Sequence, residues 1–214
     1  MSHTIKMFLK FGSYDHMLDL YENGTIFLNT IEYFRKLEDQ ELRGDVYEGA
    51  SKVINSLPGT FQIPNVDRKF HYIKIHLKES YETILGNLYC LYCISSFGIQ
   101  NPKEFTIDER NTRFGSHCVM IKDNPNFLKS IERVLRNRGL KYYHGFVKYY
   151  DKEKVSKTLS LFEKPDEFEY QKEFRFYVIN DVVEPIKIQI GSLKGKAELY
   201  TAIDLLSLRM GRTK

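Results

Sequence analysis

The densest concentration of functional groups in this chain is Phe168-Glu-Tyr-Gln-Lys-Glu-Phe-Arg-Phe-Tyr-Val178. If a strand begins at Glu173, its period of two places Gln171, Glu173 and Arg175 on one face. Phe174, Phe176 and Val178 are then not expected to form one clean apolar set. A guanidinium two residues from a carboxylate holds it ionised, and an amide on the other side can position a substrate. The trio therefore reads either as an electrostatic site facing a cleft or as the solvated face of an edge strand.

Other chemistries find less support. Cys90, Cys93 and Cys118 are too few and too odd a set for a secreted disulfide framework, so a reducing cytoplasm is expected. Cys90-x-x-Cys93 has redox or zinc spacing but lies in the continuous apolar run Leu88 to Ile94. A strand there points residues i and i+3 to opposite faces, and zinc wants four ligands, so core strand is the expectation. The six histidines form no His-x-x-x-His or His-x-Cys pair, and no metal is expected. Gly-x-Gly-x-x-Gly and Gly-Lys-Ser/Thr phosphate loops are absent, which disfavours Rossmann and P-loop enzymes. Ser95 and Ser96 lack a Gly-x-Ser-x-Gly elbow and read as cofactor contacts or strand-end caps.

Charge is concentrated in one stretch. Between Lys129 and Lys157, nine Lys or Arg stand against three acids, a local +6 in a chain of net +4. Tyr142, Tyr143, His144, Phe146, Tyr149 and Tyr150 are interleaved with them. Aromatics among cations suit single-stranded nucleic acid through stacking and phosphate neutralisation, with Arg133, Arg136, Lys141 and Tyr142 as the candidate contacts. A solvated helix and strand face is the other reading.

The elements that must position these groups follow from periodicity and punctuation. The 214 residues, 42% hydrophobic and 14% aromatic, suit a single domain over 1–214 with a sizeable core. A strand over Ile5 to Phe11, a helix over Tyr14 to Tyr21 stopped at Asn23-Gly24, and a strand over Thr25 to Asn29 open the chain. The charge-rich stretch from Thr30 to Gly49 reads as exposed helix and loop. Strands are expected at Phe70 to Leu77, Asn87 to Ile94, Ser116 to Ile121, Tyr143 to Tyr149, Glu173 to Ile179 and Ile186 to Ile190. A helix is expected over Asn126 to Asn137 and an amphipathic segment near Leu199 to Leu208. Strands outnumber helices without regular alternation, which argues for α+β. No stretch approaches the ~20 apolar residues of a membrane span, and the N-terminus has no signal-like apolar core, so a cytoplasmic protein without membrane contact is expected.

The Gln171 segment resembles the "tyrosine, acid or amide, any, glutamate, aromatic, arginine" signature of a widespread uncharacterised bacterial family found among small defence-associated proteins. Phe8-Leu-Lys-Phe11, Tyr21 to Asn29, Tyr92 to Ser96, Phe114 to Ile121 and Gly145 to Asp151 fit in order. The chain departs from that family at Asn29 to Glu32, where an Asn-Asp-Pro-containing loop is usual, and at Gln171, where an acid is common.

A second, weaker resemblance is to ADP-ribosyltransferases, with Lys10-Phe11-Gly12, Ser95-Ser96 and Gln171-Lys172-Glu173 in the order of that family's three strand motifs. Lys10 stands where His or Arg is usual. This resemblance implies a split β sheet with flanking helices that clamps NAD as substrate, in a transferase of the toxin or phage-defence kind. It implies Glu173 stabilising the oxocarbenium-like transition state and Gln171 orienting a nucleic-acid acceptor, RNA or a single-stranded DNA base. Lys10, Phe11, Gly12, Ser95 and Ser96 would lie around NAD, with Arg175 supporting Glu173 and an antitoxin or immunity protein as a further partner. The alternative is a non-enzymatic sensor or interaction module of a defence system, in which Gln171, Glu173 and Arg175 form a structural cluster.

Overall fold

A computed structural model describes residues 4–36, 47–96 and 105–208. The chain opens as expected with β1 (Ile5–Gly12), α1 (Tyr14–Asn23) and β2 (Thr25–Thr30), followed by α2 (Ile31–Lys36). Gly24 ends α1 at φ 66, and its N–H donates to the Leu20 carbonyl. A Cβ at Gly24 would lie 1.9 Å from the Gly191 carbonyl oxygen, so packing and backbone both demand glycine.

The chain continues through β3 (Ala50–Ser56), β4 (Gly59–Gln62), β5 (Lys69–Tyr72), β6 (Ile75–Ser80), β7 (Asn87–Ser95) and β8 (His117–Ile121). After α3 (Asn124–Asn137) come β9 (Tyr142–Phe146), β10 (Lys148–Tyr150), β11 (Lys157–Thr158) and β12 (Glu163–Pro165). The last strands are β13 (Glu173–Val178), β14 (Ile186–Gln189) and β15 (Ala197–Thr201). The architecture is mixed α+β with mostly antiparallel pairing.

An eight-stranded sheet, in the order β14-β2-β7-β1-β8-β15 with β13 and β9 attached through β7, forms the centre. β7 is its fork. One edge pairs with β13 from Asn87 to Tyr92, while the other pairs with β2 at Asn87–Leu88 and with β1 from Tyr92 to Ser95. α3 buries Phe127, Ile131 and Leu135 on one face of the sheet against Phe8, Tyr89, Phe174, Phe176 and Val178. The three β13 residues thus do form one apolar set, because the strand's other face carries the charges. The opposite face packs Leu9, Tyr92, Ile94 and Met120 with Phe105, Ile107 and Leu205.

Several boundaries differ from the periodicity. α3 begins two residues early because Pro125 fits the first helical turn. The expected strand from Phe70 to Leu77 is divided between β5 and β6. The interruption faces Leu57-Pro58 on the partner side, where proline has no N–H for the ladder. The expected strand from Tyr143 to Tyr149 breaks at Val147, whose N–H still bonds the Glu173 carbonyl while Lys148 turns to Phe162. The C-terminal amphipathic segment is β15 followed by a 3₁₀ turn at Asp204–Ser207. In the charge-rich stretch, Glu38, Asp39, Glu41, Arg43 and Asp45 lie outside the described residues. Glu48 is a correction: it is buried, not exposed.

Candidate functional site

The face of β13 away from α3 carries Glu173 and Arg175, only 5% and 1% exposed. Arg175 Nε donates to Glu173 Oε1 at 2.7 Å. Its two terminal nitrogens grip Glu48 in a bidentate pair, Nη1 to Oε1 at 2.8 Å and Nη2 to Oε2 at 2.9 Å. Nη1 also donates to the Leu161 carbonyl. Lys164 of β12 reaches the same cluster, with Nζ 2.9 Å from Glu173 Oε2 and 2.9 Å from Gln171 Oε1. Two acids and two cations therefore form a neutral network, and Glu48, Lys164 and Gln171 are buried like the β13 pair.

Local backbone geometry aims Gln171 and Glu173 together. Gln171 ends a 3₁₀ turn from Asp166, outside the strand, and Lys172 then adopts φ 39, ψ 51 in the left-handed region. The shared face expected from strand periodicity is thus reached through a turn. The Lys172 carbonyl accepts from Cys93 N–H, and the Glu173 N–H donates to the Tyr149 hydroxyl at 2.9 Å.

The electrostatics favour ionised groups. Burial alone would raise the Glu173 carboxyl, but Arg175, Lys164 and hydrogen bonds from Arg175 and the Cys90 thiol hold it well below the usual carboxylate range. Burial would lower Arg175, and Glu173 and Glu48 together raise it well above its usual value. Burial pushes the Cys90 and Cys93 thiols up to about 12, which keeps both protonated and unreactive at neutral pH. Among the described residues, no group of three or more His, Cys, Asp or Glu is placed to hold a metal ion.

The other expected site residues lie apart. Lys10 Nζ donates to the Cys90 carbonyl at 2.8 Å and sits 4.6 Å from the centre of the Tyr89 ring. Phe11 packs edge-on against Tyr92, and Gly12 pairs with His117. Ser95 pairs with Ile5, and the Ser96 N–H donates to the Thr4 carbonyl. The antiparallel register thus puts Lys10–Gly12 and Ser95–Ser96 at opposite ends of the β1–β7 ladder, about 16 Å apart at ~3.3 Å per residue. Ser95 does approach Glu173: the two line a cavity of about 30 Å³ with Cys93, Tyr149, Glu169 and Lys172. That volume suits a single water.

The cationic stretch is divided by the fold. Arg133, Arg136 and Lys141 are exposed on or just beyond α3. Tyr142 turns toward the core and stacks at 6.3 Å on His144, which bonds Glu132. Lys152, Lys154 and Lys157 lie on other elements and pair with Glu167, Asp151 and Glu163. Two of these acids fall outside the counted window, so the +6 is not one surface.

Glu48 and Lys164 were missed as members of the site. For Glu48 a signal exists: it follows Tyr47 and precedes Gly49-Ala50, an apolar strand entry at the end of the charged run. Lys164, between Phe162 and Pro165, has no local signal that separates it from a surface lysine. Comparison with family models, with curated proteins and with solved structures finds no match to this chain.

Proposed function

We propose that this chain is a non-enzymatic sensor or interaction module of the bacterial-defence kind, with Gln171, Glu173 and Arg175 as part of a structural ion network. The carrying observation is that both Glu173 carboxylate oxygens are held by buried cations, Arg175 and Lys164. A carboxylate that stabilises positive charge on a ribose has to face that ribose. Pockets for ligands of that size occupy roughly 300–1,000 Å³, against about 30 Å³ beside Glu173. Incubation with radiolabelled NAD and bacterial lysate is expected to transfer no label. Label transferred by the wild type and by Glu169→Ala but lost in Glu173→Ala would overturn the module.

An NAD-dependent ADP-ribosyltransferase is the second reading, favoured by the approach of Ser95 to Glu173 and by the fork in the sheet at β7. Under it the sheet is the transferase-like split sheet, and the Tyr149 side of the cavity opens to admit NAD. Glu173 then stabilises the transition state and Gln171 orients an RNA or single-stranded DNA acceptor held by Arg133, Arg136, Lys141 and Tyr142. Lys10, Phe11, Gly12, Ser95 and Ser96 contact NAD, Arg175 supports Glu173, and an antitoxin or immunity protein restrains the activity. The same labelling experiment decides between the two, since only this reading expects Glu173-dependent label.

A further inference from the structure

β3 and β6 pair from Ala50 to Ser56, and β4 and β5 continue the ribbon from Gly59 to Gln62. The proximal half is anchored, with Ala50 and Val53 packed against Tyr47 and Tyr150. The distal half is bare. Its apolar residues Phe61, Ile63 and Val66 are exposed and belong to none of the buried clusters. At the junction, Leu57 and Ile73 are 84% and 87% exposed. The tip is a turn over Ile63-Pro-Asn-Val66, with Asn65 at φ 65 and the Val66 N–H bonded to the Ile63 carbonyl.

The two ribbon faces differ in chemistry. Opposed pairs share a face, so Phe61 and Phe70 stand together, and their rings stack at 5.3 Å and 15°. The Arg68 guanidinium covers Phe70 at 5.3 Å. Gly59 leaves room for Tyr72, since a Cβ there would come within 2.6 Å of the tyrosine oxygen. The other face pairs Thr60 with His71 and Gln62 with Lys69, all polar. From Leu57 to Lys78 four Lys or Arg stand against one Asp, a local +3, of which Lys74 pairs with Glu153 outside the ribbon.

We propose that the distal ribbon binds single-stranded nucleic acid, with a base on the exposed Phe61 face and a phosphate at Arg68 on the same face. The charge calls for a polyanion. The flat stack of guanidinium and two rings calls for unpaired bases, whose faces are free only in a single strand. The exposed Leu57 and Ile73 also suit a lipid surface, and anionic vesicles are therefore a second arm of the test. This inference stands whether the Glu173 network is structural or catalytic.

The test is fluorescence anisotropy of the full chain with labelled 20-mers of oligo-uridine and oligo-deoxythymidine, titrated across salt concentrations. The wild type is expected to bind, and Phe61→Ala to weaken binding about tenfold with an unchanged salt slope. Arg68→Ala is expected to reduce the slope by about 0.7, the value of one phosphate contact for single strands. Lys194→Ala with Lys196→Ala, exposed in the loop before β15, should leave binding unchanged. The ribbon variants alter exposed side chains, and far-UV circular dichroism checks that they fold. Absence of binding at low salt, equal loss in the Lys194 and Lys196 variant, or binding only to anionic vesicles would each overturn the proposal.

Discussion

A guanidinium 1% exposed is compatible with folding only if nearly every donor is satisfied, and Arg175 meets that condition with Glu173, Glu48 and the Leu161 carbonyl. Arg175→Met is therefore expected to cost about 3–5 kcal/mol in urea unfolding, because Glu48 and Glu173 are left buried with Lys164 alone. The lowered Glu173 carboxyl fixes the sign of the pH dependence. Its contribution to stability is complete above the ordinary value of 4.5 and is lost as pH falls below it. Urea midpoints from pH 7 to 3 should show this acid slope in the wild type and a shallower one in Glu173→Gln. His76, lowered by burial, Lys74 and Lys152, adds a loss that begins as pH drops through 6.5. At this scale the shared face of Glu173 and Arg175 was legible from a period of two, whereas Gln171 joins them through the turn at Lys172. Glu48 carried only the signal of the apolar strand entry beside it, and its partner was hidden because Arg175 lies 127 positions away.

Elements with local causes were the legible ones. The Asn23-Gly24 stop, the α3 apolar stripe and the β7 run all correspond to observed elements, since capping, helical spacing and an unbroken apolar run act within a few residues. The breaks between β5 and β6 and at Val147 were not, because each is set by what the neighbouring strand does. The turn at Lys172 belongs with them: nothing in Gln171-Lys-Glu173 announces a left-handed residue. A side chain there costs about 1 kcal/mol, so Lys172→Gly is expected to be neutral or to stabilise by up to about 1 kcal/mol, while Lys172→Val destabilises. Gly24→Ala tests the opposite case. The combined backbone penalty and approach to Gly191 should cost about 2 kcal/mol or more in thermal or urea unfolding.

For the whole molecule, α+β architecture was legible from the count and order of elements, whereas the distribution of charge over the surface was not. The cations from Lys129 to Lys157 are contiguous in the chain, yet the turn at Val147 sends them to different sheets and brings acids from Glu163 and Glu167 among them. No helix among the described residues is long and apolar enough to cross a membrane. The Glu48, Lys164, Glu173 and Arg175 network joins three segments distant in sequence: the chain entering β3, β12 and β13. If it is structural, removing one member should weaken the whole fold. Equilibrium urea unfolding of Glu173→Ala against the wild type at pH 7 measures this directly. The structural account predicts a loss of about 3 kcal/mol with the dependence on urea unchanged, from an Arg175 left half-paired in the interior. A variant within about 1 kcal/mol of the wild type, or more stable than it, would contradict the account and mark Glu173 as a carboxylate held in place for chemistry.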